Sequence, residues 1–361
     1  MKRREEAFSL LELLIALAIV MLVLYAAINF FVISVRQYKV QTKIIETNLE
    51  GILGLEIFRK DLESLGYGLP WNNLVAYTEM VGVSADLLAL NDTPNAPRAV
   101  VGIDCASFTV NRSDYLAIKS DRVGMDTAAG KWTTLAVGNI KRTWVPAAEN
   151  LQSTDYVVVM SAGGLDTTRR SLVTSGASFA TQYSNTAGFT PAEPYMANIM
   201  YGIGDAAPAR PFNRADYYIS NASVPTHCAP NTGVLVKAVV PHNASGVATT
   251  FHPLLDCVAD MQVAYYLDTD GDGFLESPIK DIAAAFPAGS TAAENMRGQL
   301  REIRVYILTH EGQRDDAFQY PDPTILVGPD TAVGNNFNVS GSRNYRWKVY
   351  TMAVKPANLA Q

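Results

Sequence analysis

The sequence predicts an α+β protein in which one long N-terminal helix joins a large β-rich head. Three observations support this class: residues 13–35 carry no charge, an amphipathic pattern continues to Leu65, and short β-type segments fill the rest. The chain has 361 residues, enough for two ordinary domains or for one elaborated domain with a long extra element. Apolar residues make up 48%, so a large core can form and global disorder is excluded.

The charge of the chain argues against nucleic-acid binding, and its cysteine count limits the number of disulfides. Lys plus Arg number 29 and Asp plus Glu 35, which gives a net charge of −6, so we predict no nucleic-acid partner. Only 18% of residues are charged, so the polar surface must be built mainly from Asn, Thr, Ser and Gln, as is common in exported proteins. With three cysteines, at most one disulfide can form within the chain.

The first element is a helix that we predict over residues 8–65, of which 8–35 cross a membrane. The uncharged run 13–35 has 23 residues, which span roughly 34 Å as a helix and can cross the apolar core of a bilayer. Basic residues at positions 2–4 should keep the N-terminal end in the cytoplasm. Residues 66–361 would then form a head outside the cytoplasm.

Beyond position 35 the helix becomes amphipathic. Apolar residues recur at intervals of mostly three to five, while charged residues fall largely on other faces, which predicts one face packed against the head. Gly51 and Gly54 in this half indicate close packing. The sequence 66–70, Gly-Tyr-Gly-Leu-Pro, ends the helix. The recurring apolar residues are Val40, Ile44, Ile45, Leu49, Ile52, Leu53, Phe58, Leu62 and Leu65.

One carboxylate lies inside the apolar segment. Glu12 has apolar neighbours on both sides, and a charged side chain in hydrocarbon costs roughly 2.5–3.5 kcal/mol on insertion scales, so such a residue indicates a functional role. The alternative is that Glu12 lies at the membrane edge and reaches water among the lipid headgroups.

The residues around Glu12 resemble the N-terminal signal of type IV pilins and pseudopilins. The resemblance rests on residues 7–13, Ala-Phe-Ser-Leu-Leu-Glu-Leu, which join a short charged leader to the apolar run. In that family a prepilin peptidase cuts before the Phe and methylates the new amine. The resemblance therefore implies a leader of residues 1–7, cleavage between Ala7 and Phe8, and Glu12 as the assembly glutamate. The family usually has Gly where this chain has Ala7.

An ordinary secretory signal peptide is the alternative interpretation of the N-terminal segment. Its apolar region usually has about 7–15 residues and ends in a small-x-small cleavage site. This run is longer, contains Glu12, and offers only a poor site around Ala26.

The head reads as a series of short strands separated by turns rich in Asn, Thr, Gly and Pro. In the segment 302–308 the odd positions are apolar and should face a core, whereas Glu302, Arg304 and Tyr306 should face outward. The candidate strands are Tyr115–Lys119, Tyr156–Met160, Val234–Val240, Met261–Leu267, Glu302–Leu308 and Tyr345–Val354.

An acidic turn over residues 268–276 has four carboxylates and follows one of these strands. Its aspartates stand at alternate positions beside glycines, in the spacing of positions 1, 3 and 5 of an EF-hand loop, so their oxygens can converge on Ca²⁺. Position 12 of that pattern is Ile279 instead of Glu, so Glu276 or Asp281 would complete the ligand set. The alternative is a hairpin turn with solvated charges. The predicted calcium ligands are Asp268, Asp270, Asp272, Phe274 through its carbonyl oxygen, and Glu276.

A second resemblance lies in the head. The segments 260–273 and 299–308 are similar to the later half of PilW-type minor pilins. The two resemblances imply a minor pilin, a structural subunit that initiates or caps a type IV pilus. The implied partners are other minor and major pilins, the prepilin peptidase and a pilus-tip adhesin. The implied location is the inner membrane with the head in the periplasm, and after assembly the filament or its tip at the cell surface.

Two alternative functions are compatible with the same sequence. A pseudopilin of a type II secretion system has the same N-terminal signal, although the chain length favours the pilus. A membrane-anchored enzyme or sugar-binding module that uses calcium is the other. An aromatic-lined pocket would favour sugar binding, and the sequence shows no pattern that predicts one. Hydrolase, metalloprotease, P-loop and dinucleotide-binding motifs do not occur, so we predict no enzymatic activity.

The cysteines predict one disulfide. Cys228 and Cys257 lie beside strand-like segments outside the cytoplasm, where disulfides persist, and we expect them to pair. The alternative is a zinc site that also uses His227, His242 and His252, although these spacings match no zinc pattern.

Overall fold

The predicted α+β class is confirmed. The computed structural model describes residues 9–73, 75–163, 169–248 and 250–359. Over these residues the chain forms one long helix, three short helices and three sheets of antiparallel strands.

Helix α1, Leu10–Glu63, has 54 residues and is not interrupted because the first proline of the chain is Pro70. The turn that follows the helix requires glycine at position 68. There φ is +70°, and a Cβ would lie 1.9 Å from a carboxylate oxygen of Asp121. The turn therefore lets the chain leave the helix directly against the interior of the head.

The remaining elements are short. The three short helices are α2, Ala85–Leu88; α3, Ile282–Ala285; and α4, Ser290–Gln299. The strands are β1, Val100–Ile103; β2, Tyr115–Lys119; β3, Trp132–Ala136; β4, Ile140–Lys141; β5, Tyr156–Met160; β6, Leu172–Val173; β7, Ala180–Gln182; β8, Ala197–Gly204; β9, Arg214–Ser220; β10, Gly233–Val239; β11, Phe251–Leu267; β12, Leu300–Glu311; β13, Thr324–Val327; β14, Asn335–Asn338; and β15, Arg346–Val354.

Seven strands form the large sheet, in the order β1-β2-β9-β10-β11-β12-β15. A smaller sheet has the order β4-β3-β8-β5-β6, with β7 also paired to β5, and β13 and β14 form a two-stranded ribbon. Most strands that are neighbours in the large sheet are also consecutive or nearly so in the chain, which is typical of antiparallel meanders. Four candidate strands from the sequence match observed strands to within about one residue, and the other two, Met261–Leu267 and Glu302–Leu308, lie inside the longer strands β11 and β12.

The second half of α1 packs on one face of the large sheet. Gly51, Gly54, Phe58, Leu62 and Leu65 are buried at helical spacing. The Phe58 ring stacks on a tyrosine of β9 with centroids 4.2 Å apart. Each large apolar side chain buried in this way contributes roughly 1.5–3 kcal/mol, so the docked half of the helix belongs to the core of the head.

Part of the predicted apolar face of α1 is not covered by the head. Ile45, Ile52 and Leu53 are mostly exposed, although the periodicity placed them on the packed face. The helix crosses the sheet at Gly51 and Gly54, so side chains just before and beside this crossing point away from the head. The apolar periodicity can be predicted from the sequence, but the point at which α1 crosses the sheet cannot.

The large sheet is buried on both faces, which corrects one expectation. Ile303, Val305 and Ile307 face the helix side, as their alternation predicts. Tyr306 was expected to face outward, yet it is buried with Trp347 in a second core beneath the β13–β14 ribbon. An alternating pattern cannot reveal that a distant ribbon covers the other face.

A buried ion network joins the segment before β1 to the large sheet. The ammonium of Lys119 lies 2.8 Å from Glu79 and 2.5 Å from Asp92, and all three side chains are fully buried. Arg214 pairs with Glu79 and Asp216 in the same network. Removing one member would leave a buried charge without its partner, so the network fixes the position of this segment.

Candidate assembly helix and metal loop

The N-terminal part of α1 has an apolar surface with no partner in the monomer. The segment Leu10–Ile45 has 36 residues and contains an 18-residue stretch with a mean hydropathy of 2.7, so it is long and apolar enough to cross a membrane. Large side chains such as Leu22 and Phe30 are at least 70% exposed. Residues 10–33 of this segment are all exposed, so another environment must cover them.

Glu12 lies in the first turn of this helix. Its carboxylate accepts a hydrogen bond from the backbone N–H of Ser9 at 3.0 Å, and the Ser9 hydroxyl accepts one from the N–H of Glu12 at 3.2 Å. This reciprocal pair is a capping box, which satisfies two of the free N–H groups of a helix end. The predicted cleavage residues, Ala7 and Phe8, lie outside the described residues.

The acidic loop is a hairpin tip that follows β11. The backbone N–H of Glu276 donates to the carbonyl of Leu267 at 3.0 Å, which closes the loop. Carboxylate oxygens of Asp268, Asp270 and Asp272 all lie within 4.8 Å of one another. Two glycines, Gly271 and Gly273, have φ of +77° and +86°, a left-handed conformation that favours glycine.

Local hydrogen bonds hold these carboxylates in place. Oxygens of Asp268, Asp270 and Asp272 accept from the backbone N–H groups of Gly271, Asp272 and Phe274 respectively. Turns of this type shape the loop around its acidic side chains. The arrangement brings three of the predicted ligands together.

The other predicted ligands are placed differently. Glu276 accepts from the backbone N–H and hydroxyl of Thr269 across the base of the loop. Phe274 has an exposed ring, and its backbone lies at the loop tip. Asp281, the alternative to Glu276, caps helix α3 by accepting from the N–H of Ala284 at 2.8 Å, so it is engaged outside the loop. Asp268 also pairs with Arg301 at 3.2 Å.

The predicted cysteine pair is present in the structure. Cys228 and Cys257 form a disulfide between the loop before β10 and strand β11. His227 lies beside it, and the ligand atoms of these three residues are within 4.8 Å of one another. His242, which the zinc alternative required, is engaged elsewhere: its ring nitrogens contact the N–H of Ala209 and the side-chain oxygen of Asn213.

Burial and a nearby guanidinium keep that histidine neutral. The buried position of His242 and the neighbouring Arg210 lower its pKa to about 2. A neutral imidazole with both nitrogens already hydrogen-bonded is a structural group of the core, so the zinc alternative loses one of its ligands.

Sequence reasoning missed an aromatic pocket. Trp132 on β3 and Trp144 after β4 pack with ring centroids 4.8 Å apart and line a cavity of about 200 Å³. The sequence shows no pattern that predicts an aromatic-lined pocket, whereas the structure places both tryptophans at one cavity. The available signal was that two of the four tryptophans lie only 12 positions apart, on either side of a short hairpin.

Comparison with known proteins gives one family match and one structural match. Residues 2–28 match the family model described as the prokaryotic N-terminal methylation motif. No curated protein matches the chain. Among solved structures, a type IV-like pilin from Thermus thermophilus matches with a TM-score of 0.35 and 10% sequence identity, and the alignment covers 86% of this chain and 97% of that one.

The N-terminal end of the chain therefore carries a prokaryotic methylation motif, joined to a helix that is apolar and exposed. The match ends at residue 28 and leaves the head unassigned.

Proposed function

We propose that this protein is a minor pilin of a type IV pilus, of the PilW type, that initiates or caps the filament. The observation that carries the proposal is the apolar segment Leu10–Ile45, of which residues 10–33 are exposed in the monomer and which continues into a half-helix docked to the head. Such a surface needs a bilayer before assembly and the apolar helices of other subunits afterwards. The role is structural rather than enzymatic.

The methylation motif supports the same order of events. Proteins with this signal are cut by a prepilin peptidase at the N-terminal end of the apolar helix, which here implies a new amine at Phe8. The inner membrane would hold the helix first, with the head in the periplasm. Other minor and major pilins would then surround it in the filament, at the cell surface.

Glu12 is suited to couple cleavage to assembly. A charged amine among packed apolar helices is costly unless an opposite charge pairs with it. Glu12 follows Phe8 by four positions in the sequence, the spacing of about one helical turn, and in the monomer its carboxylate accepts a hydrogen bond from the N–H of Ser9 at the helix end. In a filament the staggered helix of a neighbouring subunit can bring its amine to the same carboxylate.

The acidic loop is proposed to bind Ca²⁺. Three carboxylates converge within 4.8 Å, and local hydrogen bonds from the loop backbone orient them. The carboxylates repel one another, with only Asp268 paired to Arg301, and Ca²⁺ prefers oxygen ligands of this kind. Asp268, Asp270, Asp272, Phe274 through its carbonyl oxygen, and Glu276 remain the proposed ligands.

The test of the filament role is the substitution Glu12→Leu in the tagged full chain, expressed in its own host. The variant should insert into the membrane at least as well as the wild type, because it loses a charge from the apolar run. It should nevertheless be depleted several-fold from sheared filaments and from complexes with other minor pilins. Glu12→Asp should be intermediate, because the charge remains but its reach is shorter.

The matched control is Glu56→Leu, which removes an exposed carboxylate from the docked half of the same helix. It should leave recovery unchanged. Wild-type recovery of Glu12→Leu at equal membrane levels would contradict the assembly role and favour a simple membrane-anchored protein. Recovery of the wild type with secretion-system pseudopilins instead of pilus subunits would identify the alternative function.

A further inference from the structure

The tryptophan pocket lies on the small sheet, apart from the acidic loop. The loop that carries Trp144 is held by two hydrogen bonds to the side chain of Asn150, at 2.7 and 2.9 Å. The indole N–H of Trp144 donates to the carbonyl of Trp132 at 2.7 Å. The guanidinium of Arg142 stacks 4.1 Å from the Trp144 ring. The pocket wall is therefore fixed by contacts within the head.

Trp132 supplies an available aromatic surface. Its side chain is 37% exposed, whereas Trp144 is already in contact with both Trp132 and Arg142. An exposed indole beside a cavity offers a flat apolar face to a ligand. The pocket thus has one stacking position rather than a row of them.

Charged groups surround this stacking position. Arg122, held over the Tyr67 ring at 4.2 Å, and Lys131, whose ammonium donates to the carbonyl of Asn150 at 3.2 Å, form one side. The exposed Glu149 also lines the cavity, and among the described residues no group pairs with its carboxylate. The lining has two cations and one anion, so it favours a ligand with a negative charge and several hydroxyl groups.

The pocket opens into a longer cleft. A second cavity of about 650 Å³ shares Arg122, Gly130, Lys131 and Glu149 with the first and extends to the end of α1. Its additional lining includes the polar residues Lys60, Ser64 and Thr127 and two carboxylates, Asp61 and Glu63, which pair with Lys237 and Arg59 respectively. The combined cleft has room for more than one sugar-sized ring. Its lining has one exposed apolar surface, at Trp132, and is otherwise mostly polar or charged.

We propose that this cleft binds an acidic saccharide, with a pyranose ring on Trp132 and the carboxylate of a uronic acid near Arg122 and Lys131. The C–H bonds on one face of a pyranose carry slight positive charge and pack against the negative face of an indole. Sugar hydroxyl groups then hydrogen-bond to the charged groups at the rim, as in other apolar pockets with a few polar groups. The inference stands apart from filament assembly, since none of these residues belongs to the apolar segment.

A single-stranded nucleic acid is the other ligand that aromatic and basic groups attract. It needs successive stacking faces along a basic groove, and this cleft offers one exposed tryptophan. The observations therefore favour the saccharide.

The experiment is calorimetric titration of the full chain in a zwitterionic detergent, because detergents with sugar headgroups would compete. The probes are tetrasaccharides of hyaluronan, heparosan, alginate and polygalacturonate, with cellotetraose and a thymidine oligonucleotide as comparisons. Chelator is present throughout, so that binding through calcium at the acidic loop does not contribute. At least one uronate probe should bind.

The variants separate stacking from charge recognition. Trp132→Ala should weaken binding at least about tenfold, which corresponds to about 1.4 kcal/mol, and Trp132→Tyr should retain most of it. Arg122→Gln and Lys131→Gln should each weaken the uronate probe. Tyr195→Ala, which removes an exposed aromatic ring elsewhere on the head, should have no effect.

Three results would overturn the inference: no binding of any uronate probe, equal binding of cellotetraose or the oligonucleotide, or binding that survives Trp132→Ala. Thermal melting of each variant shows whether it is folded. If Trp132→Ala does not fold, Trp132→Tyr together with Arg122→Gln decides the result, because binding unchanged in both would also contradict the site.

Discussion

Asp121 is a buried carboxyl group beside the turn that ends α1. Its side chain is fully buried, and neither carboxylate oxygen has a hydrogen-bond partner among the described residues. Burial raises the pKa of Asp121 well above its usual value, so protonation is favoured in the folded state. Because the folded state holds the proton more tightly, this group lowers the stability of the head as pH rises above about 4.

We therefore expect Asp121→Asn, which keeps the shape and removes the charge, to reduce the loss of stability between pH 4 and pH 8. One such group lowers the free energy of unfolding by about 1.4 kcal/mol for each pH unit between its pKa in the unfolded state and its pKa in the folded state. Denaturant unfolding of the full chain in detergent at several pH values measures it. A variant whose stability falls with pH as steeply as that of the wild type would contradict the assignment.

Individual residues of the candidate sites were predictable when their charge or spacing differed from what the surrounding sequence would lead one to expect. Glu12 stands out because a carboxylate interrupts an apolar run, and the aspartates stand out by their alternate spacing. Trp132 and Trp144, in contrast, are ordinary residues for a β-rich segment. Their pocket exists because β3 pairs with β4 and β8 and because Asn150 folds the next loop back. Only tertiary structure brings such residues together.

At the element scale, α1 approaches β11 most closely at Gly54. A Cβ at this position would lie 1.8 Å from the carbonyl oxygen of Leu254. We expect Gly54→Ala to push the helix from the sheet and to destabilise the head by about 1–3 kcal/mol, the usual cost of overpacking. The gain in helix propensity, about 0.5–1 kcal/mol, offsets part of this.

Gly298→Ala is the matched control for Gly54→Ala. It lies in helix α4, and no atom lies within 4 Å of an added Cβ. That substitution should stabilise the protein by about 0.5–1 kcal/mol. Urea unfolding of both variants gives the comparison, and an unchanged or increased midpoint for Gly54→Ala would show that the helix does not dock as described.

The acidic loop gives a second prediction for an element. A ligand that binds only the folded state adds about 2.7 kcal/mol when present at 100 times its dissociation constant. The full chain in detergent should therefore melt at a higher temperature in calcium than in chelator, and Asp270→Ala should remove most of that difference. Asp322→Ala, an exposed aspartate in another loop, should not. Equal melting of the wild type with and without chelator would refute the calcium site.

Elements with a strong local sequence pattern were predictable, whereas the parts of the chain that bury their faces were not. Strands β2 and β5 coincide with the segments predicted from β-branched and aromatic content. Strand β11 is longer than predicted, because its first half, which includes Asp256 and Cys257, is held by pairing with β10 and by the disulfide rather than by alternation. Burial of Tyr306 depends on a ribbon that is more than ten residues away in the chain.

For the whole molecule, processing at the N-terminal end is the first prediction. If a prepilin peptidase removes residues 1–7, protein purified from membranes or filaments should begin at Phe8 with a methylated amine. The leader carries three basic and two acidic side chains, so the net side-chain charge would change from −6 to −7. N-terminal sequencing and intact mass decide it. A chain that begins at Met1, or near Ala27 as after signal-peptide cleavage, would contradict the prediction.

Strand β11 links the point where helix α1 docks on the head to the acidic loop. It meets the helix near Leu254 and reaches the acidic loop at Asp268. These 14 positions correspond to roughly 45 Å of extended chain, while α1 continues for only about 15 Å beyond Gly54. If the acidic loop binds Ca²⁺ and the apolar end of the helix is enclosed by lipid or by other helices, as proposed, solvent can still exchange the ion at the loop. A change in calcium concentration around the head would then act on a subunit whose helix is already anchored.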